Sequence, residues 1–317
     1  MNAPTLTELS PNDQKFIEKR DQTEKLSRLL ANNGYKELSN KFHQCGTFLE
    51  FRLSAEGELK LDNANFCKSA LCPMCSWRRS RRWRKRLKEG ASQIQGRWIF
   101  LTLTIKNRPI TDLKHSLDQL NQGWQELEKS SLKEFLNGYV RVIEITRSLP
   151  PPESNEEICH PHIHALLNIE PKYFSDYYLT HCQWREAWKQ SIKAEYLPII
   201  NIKAVRHINP RILGEIAKYT LKPGSFLEKY KRDKRRNIVG INWPGTNPDQ
   251  QKADFFAELC NQIYHRRLIS TGGIIKSKLK GNEEDLIGGR GGHSEHGENI
   301  QFIWRKQEDE WPNYYAN

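Results

Sequence analysis

The chain has 317 residues, 37% hydrophobic and 28% charged, with 50 Lys and Arg against 38 Asp and Glu and a formal net charge of +12. That length holds one large domain or a few small ones, and the basic excess favours a polyanionic partner such as DNA, RNA or an anionic membrane surface. No apolar run approaches the roughly 20 residues that span a bilayer. The N-terminal "MNAPTLTELSPNDQ" lacks the basic-then-apolar layout of a signal peptide. A soluble, cytoplasmic protein without a membrane partner is expected. In a reducing compartment its seven unevenly spread cysteines read as metal ligands rather than as a disulfide scaffold.

Residues 1–44 read as a polar helical segment, opening at Ser10-Pro11 with proline at the first helical position and carrying Leu26 and Leu29 on its apolar side. Residues 45–92 hold four cysteines and a dense basic run. Residues 93–229 are more regular. In Trp98–Ile105, Thr102 and Thr104 alternate with Leu101, Leu103 and Ile105, the period of a strand. Leu113, Leu117, Leu120, Trp124 and Leu127 recur at helical spacing and predict a helix over 111–136. Tyr139–Ile145 predicts a second strand, Ser148–Glu157 a proline-rich loop, and His162–Ile169 a third strand. Tyr177, Trp184, Trp188 and Ile192 predict another helix, Ile199–Val205 a fourth strand, and Asn209–Lys222 a helix stopped by Pro223-Gly224. The class is α+β, an antiparallel sheet with helices packed on it. Residues 230–317, with the basic "KYKRDKRRN" and a glycine-rich stretch at 281–299, receive no role.

Cys72-Pro73-Met74-Cys75 is a C-x-x-C, the spacing by which one tight turn presents two thiolates to a tetrahedral ion. Cys67 supplies a third ligand and Cys45 a fourth, with His43 competing for that last place. Four protein ligands leave no open position, so the Zn²⁺ would be structural. A redox pair or free thiols are the plainer alternatives. Directly after the cluster come Arg78, Arg79, Arg81, Arg82, Arg84, Lys85 and Arg86, interleaved with Trp77 and Trp83. The run is denser than solubility requires and suits phosphate neutralisation; the tryptophans either pack on the cysteine module or stack on bases.

His162 and His164 share a strand face, with apolar Ile163 between them facing the core. His160, before Pro161, reads as a flanking residue. Glu144 sits amid "VRVIEI" either as a third metal ligand or as the partner of Arg141, Arg147 or another base. Glu215, Tyr219 and Lys222 fall at i, i+4 and i+7 on one helix face. There Tyr219 offers a nucleophilic hydroxyl and Glu215 a general base, while Lys222 could lower the tyrosine's pKa or bind the scissile phosphate. An amphipathic helix with a core tyrosine and a surface Glu–Lys pair is the alternative.

"FLTLTIKN" (Phe100–Asn107), "HPHIHALL" (His160–Leu167) and "EIAKYTLK" (Glu215–Lys222), in this order, resemble the three motifs of the HUH endonucleases. They are most similar to the replication initiators of small rolling-circle plasmids, in the subfamily where a glutamate precedes a single catalytic tyrosine by one turn. The upstream cysteines followed by "WRRSRRW" resemble that subfamily's cysteine motif. The resemblance covers roughly residues 45–225. It implies a ferredoxin- or RRM-like core and an enzyme that nicks and rejoins plasmid origin DNA, single-stranded at the nick. In that scheme His162 and His164 hold Mg²⁺ or Mn²⁺, with Glu144 beside them, and Tyr219 forms a 5′-phosphotyrosine. Glu215 then activates water for hydrolytic termination. The chain has no P-loop motif, so a host helicase and polymerase are the expected partners. A transposase or relaxase of the same superfamily, or a non-catalytic zinc-containing DNA-binding regulator, are the rival readings.

Overall fold

A computed structural model of the protein describes residues 14–53, 59–148, 156–206, 208–217, 247–279 and 298–303. Its elements in chain order are α1 (Gln14–Asn32), α2 (Lys36–His43), β1 (Phe48–Leu53), β2 (Leu59–Ala64), α3 (Pro73–Ala91), β3 (Arg97–Thr104), β4 (Arg108–Pro109) and α4 (Leu113–Lys129). After these come β5 (Leu136–Ser148), β6 (Ile158–Ile169), α5 (His181–Ser191), β7 (Ile200–Val205), α6 (Pro210–Ala217), α7 (Pro248–Gln262), β8 (Ile269–Gly272), α8 (Gly273–Lys278) and β9 (Glu298–Ile303). The class is α+β, as expected, with two antiparallel sheets flanked by helices. The six-stranded sheet runs β7-β3-β6-β5-β8, with β4 pairing β6; the smaller sheet runs β2-β1-β9.

Period-two alternation divides the large sheet into two faces. Ile99, Leu101 and Leu103 of β3, Ile143 and Ile145 of β5, and Ile163, Ala165 and Leu167 of β6 enter one core. There they meet Leu117, Leu120 and Trp124 of α4, Trp184 and Trp188 of α5, and Phe255 and Phe256 of α7. On the opposite face Trp98, Val140, Val142, Leu166 and Ile269 form a second core with Trp83 and Leu87 of α3, Leu213 and Ile216 of α6, and Ile275 of α8. Both faces are therefore covered where the strands are apolar. The polar positions of β3, β5 and β6, next along on the second face, form the site described below.

Several boundaries differ from expectation. The helix expected over 111–136 ends at Lys129, where the Ser130 hydroxyl bonds back to the Glu126 carbonyl at 2.6 Å. Leu132 and Phe135 still reach the core, but from the following turns. Tyr177 is not part of α5. A capping box of Thr180 and Gln183 starts that helix at His181, and Tyr177 lies before it, 39% exposed. β1 and β2 were not anticipated, and the basic run is helical, as α3. The opening at Ser10-Pro11 and the stretch Lys218–Lys222 lie outside the described residues. Residues after 230 supply an outer strand to each sheet: β8 pairs β5, and β9 pairs β1. Among the described residues no helix is long and apolar enough to cross a membrane.

Candidate functional site

The strand register gathers three side chains on one face. Glu144 of β5 lies opposite His162 of β6, and Thr102 of β3 lies opposite His164. The Glu144 Oε2 atom is 3.0 Å from His164 Nε2 and 3.5 Å from His162 Nε2, and the two Nε2 atoms are 3.1 Å apart. Ligand bonds of about 2.1 Å at right angles place neighbouring donors about 3.0 Å apart, so one ion suits all three. The outer partners keep this orientation. His162 Nδ1 lies 3.3 Å from the His160 carbonyl oxygen, and His164 Nδ1 lies 3.0 Å from Thr102 Oγ1. With an ion at the shared point, Nδ1–H would donate in each ring and both Nε2 lone pairs would face the ion; without one, the rings donate to Glu144 through Nε2.

Burial works to raise the Glu144 carboxyl, but hydrogen bonds from His162 and His164 outweigh it and hold the group well below the usual carboxylate range. Glu144 is thus an anion facing two imidazoles. The arginines considered as its partners are engaged elsewhere. Arg141 lies on the other face, with its guanidinium 5.4 Å from the Trp124 ring and bonded to Asn121 at 2.7 Å. Arg147 binds Glu157. His160 turns its Nδ1 to Asn107 Oδ1 at 2.6 Å and stands outside the three-donor cluster. Ile163 is fully buried on the opposite face.

Helix α6 packs over the same face as the triad, through Leu213, Ile216 and Ala217 against Val140, Val142 and Leu166. Asn209 Oδ1 accepts from Ile212 N at 3.0 Å at the start of this helix. Glu215 is half-buried on α6 and is not one of the three converging donors. Tyr219 and Lys222 lie outside the described residues. The Ser80 hydroxyl of α3 donates to the Ala217 carbonyl at 2.6 Å, tying the basic helix to the last described residue before Lys218 and Tyr219. No sequence signal singled out Thr102 as an outer partner or Ser80 as a tether.

A second constellation stands at the start of α3. Cys45 Sγ lies 3.5 Å from both Cys72 Sγ and Cys75 Sγ, and Cys67 Sγ is 3.7 Å from Cys75 Sγ. Bonds of about 2.3 Å from a tetrahedral ion give sulfur separations near 3.8 Å, whereas a disulfide needs about 2.05 Å. The four sulfurs therefore fit a single ion and not a disulfide pair. Hydrogen bonds with Cys67 and Cys72 push the Cys45 thiol up. Burial pushes Cys75 up, while at Cys72 the neighbouring thiols outweigh burial and favour the thiolate. Deprotonating all four would need a cation in their midst. His43, the competing fourth ligand, turns its Nδ1 to Glu24 at 3.0 Å and stays outside the cluster.

Along α3 the basic side chains separate by position. Arg81, Arg84 and Lys85 are exposed, and Arg79, Arg82 and Arg86 are half-buried. Arg78 differs: it is buried, with its guanidinium 5.4 Å and 5.0 Å from the rings of Phe16 and Phe66. Trp77 takes the packing alternative, while Trp83 packs on the sheet rather than on the cysteine module. Trp77 meets Phe16 edge-on at 4.9 Å, and Trp83 is buried in the second core.

The family model described as "Replication protein" matches residues 58–314. A "Protein rep" of Streptococcus pneumoniae serotype 2 (strain D39 / NCTC 7466) is 34% identical over 270 residues, covering 81% of this chain and 76% of the relative. A "Protein rep" of Bacillus sp is 35% identical over 266 residues, covering 79% and 84%, and one of Bacillus amyloliquefaciens is 31% identical over 263 residues, covering 80% and 75%. No solved structure matches the chain. The match spans the cysteine helix, the histidine strand and both C-terminal strands, and the chain belongs to the replication-protein family.

Proposed function

We propose that the protein initiates plasmid rolling-circle replication by nicking one strand at the origin. The observation that carries this reading is the convergence of Glu144, His162 and His164 within ligand distance on the face that α6 covers. A bound Mn²⁺ or Mg²⁺ would polarise the scissile phosphate; the mixed imidazole and carboxylate donors, completed by phosphate oxygens, suit those ions.

The other steps belong to the chain's own residues. The Tyr219 oxygen attacks phosphorus, the bond from phosphorus to the 3′ oxygen breaks, and a 5′-phosphotyrosine and a free 3′-OH result. The tyrosine's proton passes to solvent and the departing 3′ oxygen gains one. At termination Glu215 takes a proton from the water that hydrolyses the second cleaved strand; a carboxylate serves as a base there and is a poor nucleophile toward phosphate. Lys222 binds the scissile phosphate or holds the tyrosine's pKa down. The Cys45, Cys67, Cys72 and Cys75 cluster holds structural Zn²⁺ and fixes the start of α3. The exposed Arg81, Arg84 and Lys85, with Arg79, Arg82 and Arg86, contact origin phosphates; Arg78 serves packing instead. The HUH core comprises residues 93–229, joined to the cysteine module at 45–92, in a cytoplasmic protein that recruits a host helicase and polymerase.

Purified protein with Mn²⁺ should nick supercoiled plasmid carrying its origin and stay attached to the 5′ end. Tyr219→Phe should give no covalent adduct on denaturing gels. Normal nicking by that variant would remove the nucleophile assignment.

A further inference from the structure

A cleft of about 1590 Å³ lies between the start of α2, the loop from Cys67 to Leu71, α3, and the chain from Asp254 to Ile269. It exceeds the roughly 300–1,000 Å³ of a small-molecule site, and none of the three triad residues lines it. Its described lining carries six basic side chains against three acidic ones. Asp254 accepts from the Tyr35 hydroxyl at 2.7 Å and Glu258 from the Gln262 amide at 2.6 Å, and of the cations Arg266 is paired with Asp118, which leaves five against the three acids. Lys41, Lys68 and Arg267 are exposed along the walls.

The backbone of this cleft is unusual. Among the described residues three non-glycine residues have a left-handed conformation, and two of them line it: Lys68 at φ 58° and His265 at φ 55°. Such a conformation is costly for a residue with a side chain and persists where the surroundings enforce it. At Lys68 the enforcement comes from Arg79, whose Nη2 donates to the Lys68 carbonyl at 3.0 Å. At the other wall the His265 ring lies 4.0 Å from the ring of Tyr264, which is 66% exposed. A flat aromatic ring held in solvent beside basic walls is the chemistry that takes a single nucleic-acid strand, bases stacking on the ring and phosphates meeting the cations.

The cleft also leads to the triad. Val142 pairs with Ile269, and Ile143 N donates to the Leu268 carbonyl at 2.8 Å. This pairing brings the Leu268–Ile269 end of the cleft against β5 at Val142 and Ile143, next to Glu144 in the chain. We propose that this cleft seats single-stranded DNA and delivers it along the edge of β5 to the metal centre. Only the strand's destination rests on the nuclease reading; the binding does not.

The test is fluorescence anisotropy on a labelled single-stranded oligonucleotide, and on the same sequence as duplex, across a salt series without added divalent ion. Lys41→Ala, Lys68→Ala and Arg267→Ala combined should weaken single-strand binding about tenfold or more. The slope of log affinity against log salt should fall by about 2, since each phosphate contact to a single strand contributes about 0.7. Tyr264→Ala should weaken binding about fivefold or more at an unchanged slope, because stacking releases no counterions. Tyr264 is exposed, so this variant keeps the proposal testable should the triple variant misfold. Affinities of both variants within about twofold of the wild type, or a loss confined to duplex, would overturn the cleft. So would a wild type without affinity for single strands. A wild type that binds but does not nick would overturn the nuclease reading and leave the cleft standing.

Discussion

Thr102 illustrates how much of the candidate metal centre rests on residues that would not be ligands. Its Oγ1, 3.0 Å from His164 Nδ1, fixes the ring so that Nε2 meets Glu144 and His162. Thr102→Val keeps the β-branched shape and removes the oxygen. Mn²⁺ affinity measured by calorimetry should fall about tenfold while the fold is retained; unchanged affinity would mean that packing against Phe100, whose ring lies 5.7 Å from that of His164, orients the imidazole alone. The two histidines were legible because a strand repeats every two residues and an apolar Ile163 between two imidazoles leaves them one shared face. Glu144 was legible as an anion amid aliphatic residues. Its choice of partner was not, because register decides whether it meets histidines or arginines, and register is a tertiary property. Thr102 carried no signal: it is one of two threonines alternating on β3, and only the pairing with β6 distinguishes it.

Among the elements, α3 links the two candidate metal sites. Cys72 caps its start and Cys75 lies in its first turn, its middle buries Trp83 beside Leu213 and Ile216, and Ser80 holds the Ala217 carbonyl. Through these contacts the cysteine module meets the described end of α6, two residues before Tyr219 in the chain. Ser80→Ala should lower the nicking rate about fivefold, with zinc content and DNA affinity at wild-type levels, since one hydrogen bond of roughly 1 kcal/mol is removed where placement matters. Ser80→Thr should restore the rate. Equal rates for wild type and Ser80→Ala would show that the apolar contacts suffice. The sequence marked α3 only as a charge run, since Lys and Arg dominate its composition while Trp83 and Leu87 form a narrow buried stripe. The central strands and α4 were clearer, because long apolar repeats state their own period.

At the scale of the whole molecule, the two sheets are completed by distant parts of the chain. β9 pairs β1 from Phe48–Ile303 to Leu53–Glu298, and its Phe302 is fully buried, edge-on to Phe51 at 5.7 Å. Phe302→Ala should cost about 3–5 kcal/mol in urea unfolding. A loss near zero would mean that β9 rests on the surface of the small sheet. This closure could not be read from the sequence: β8 and β9 are short, and an edge strand is defined by the partner it meets, not by its own pattern. Likewise the resemblance pointed to candidate nuclease motifs but left the C-terminal region without a role, although that region walls the basic cleft.

The central claim is that Glu144, His162 and His164 hold the ion that makes nicking possible. It is tested most directly by measuring nicking of origin plasmid over a Mn²⁺ titration for the wild type and His164→Ala side by side. The wild type should nick with a saturable dependence on Mn²⁺, and the variant should stay inactive or require far higher Mn²⁺. Cleavage by His164→Ala at the wild-type rate and the same Mn²⁺ would contradict the metal centre.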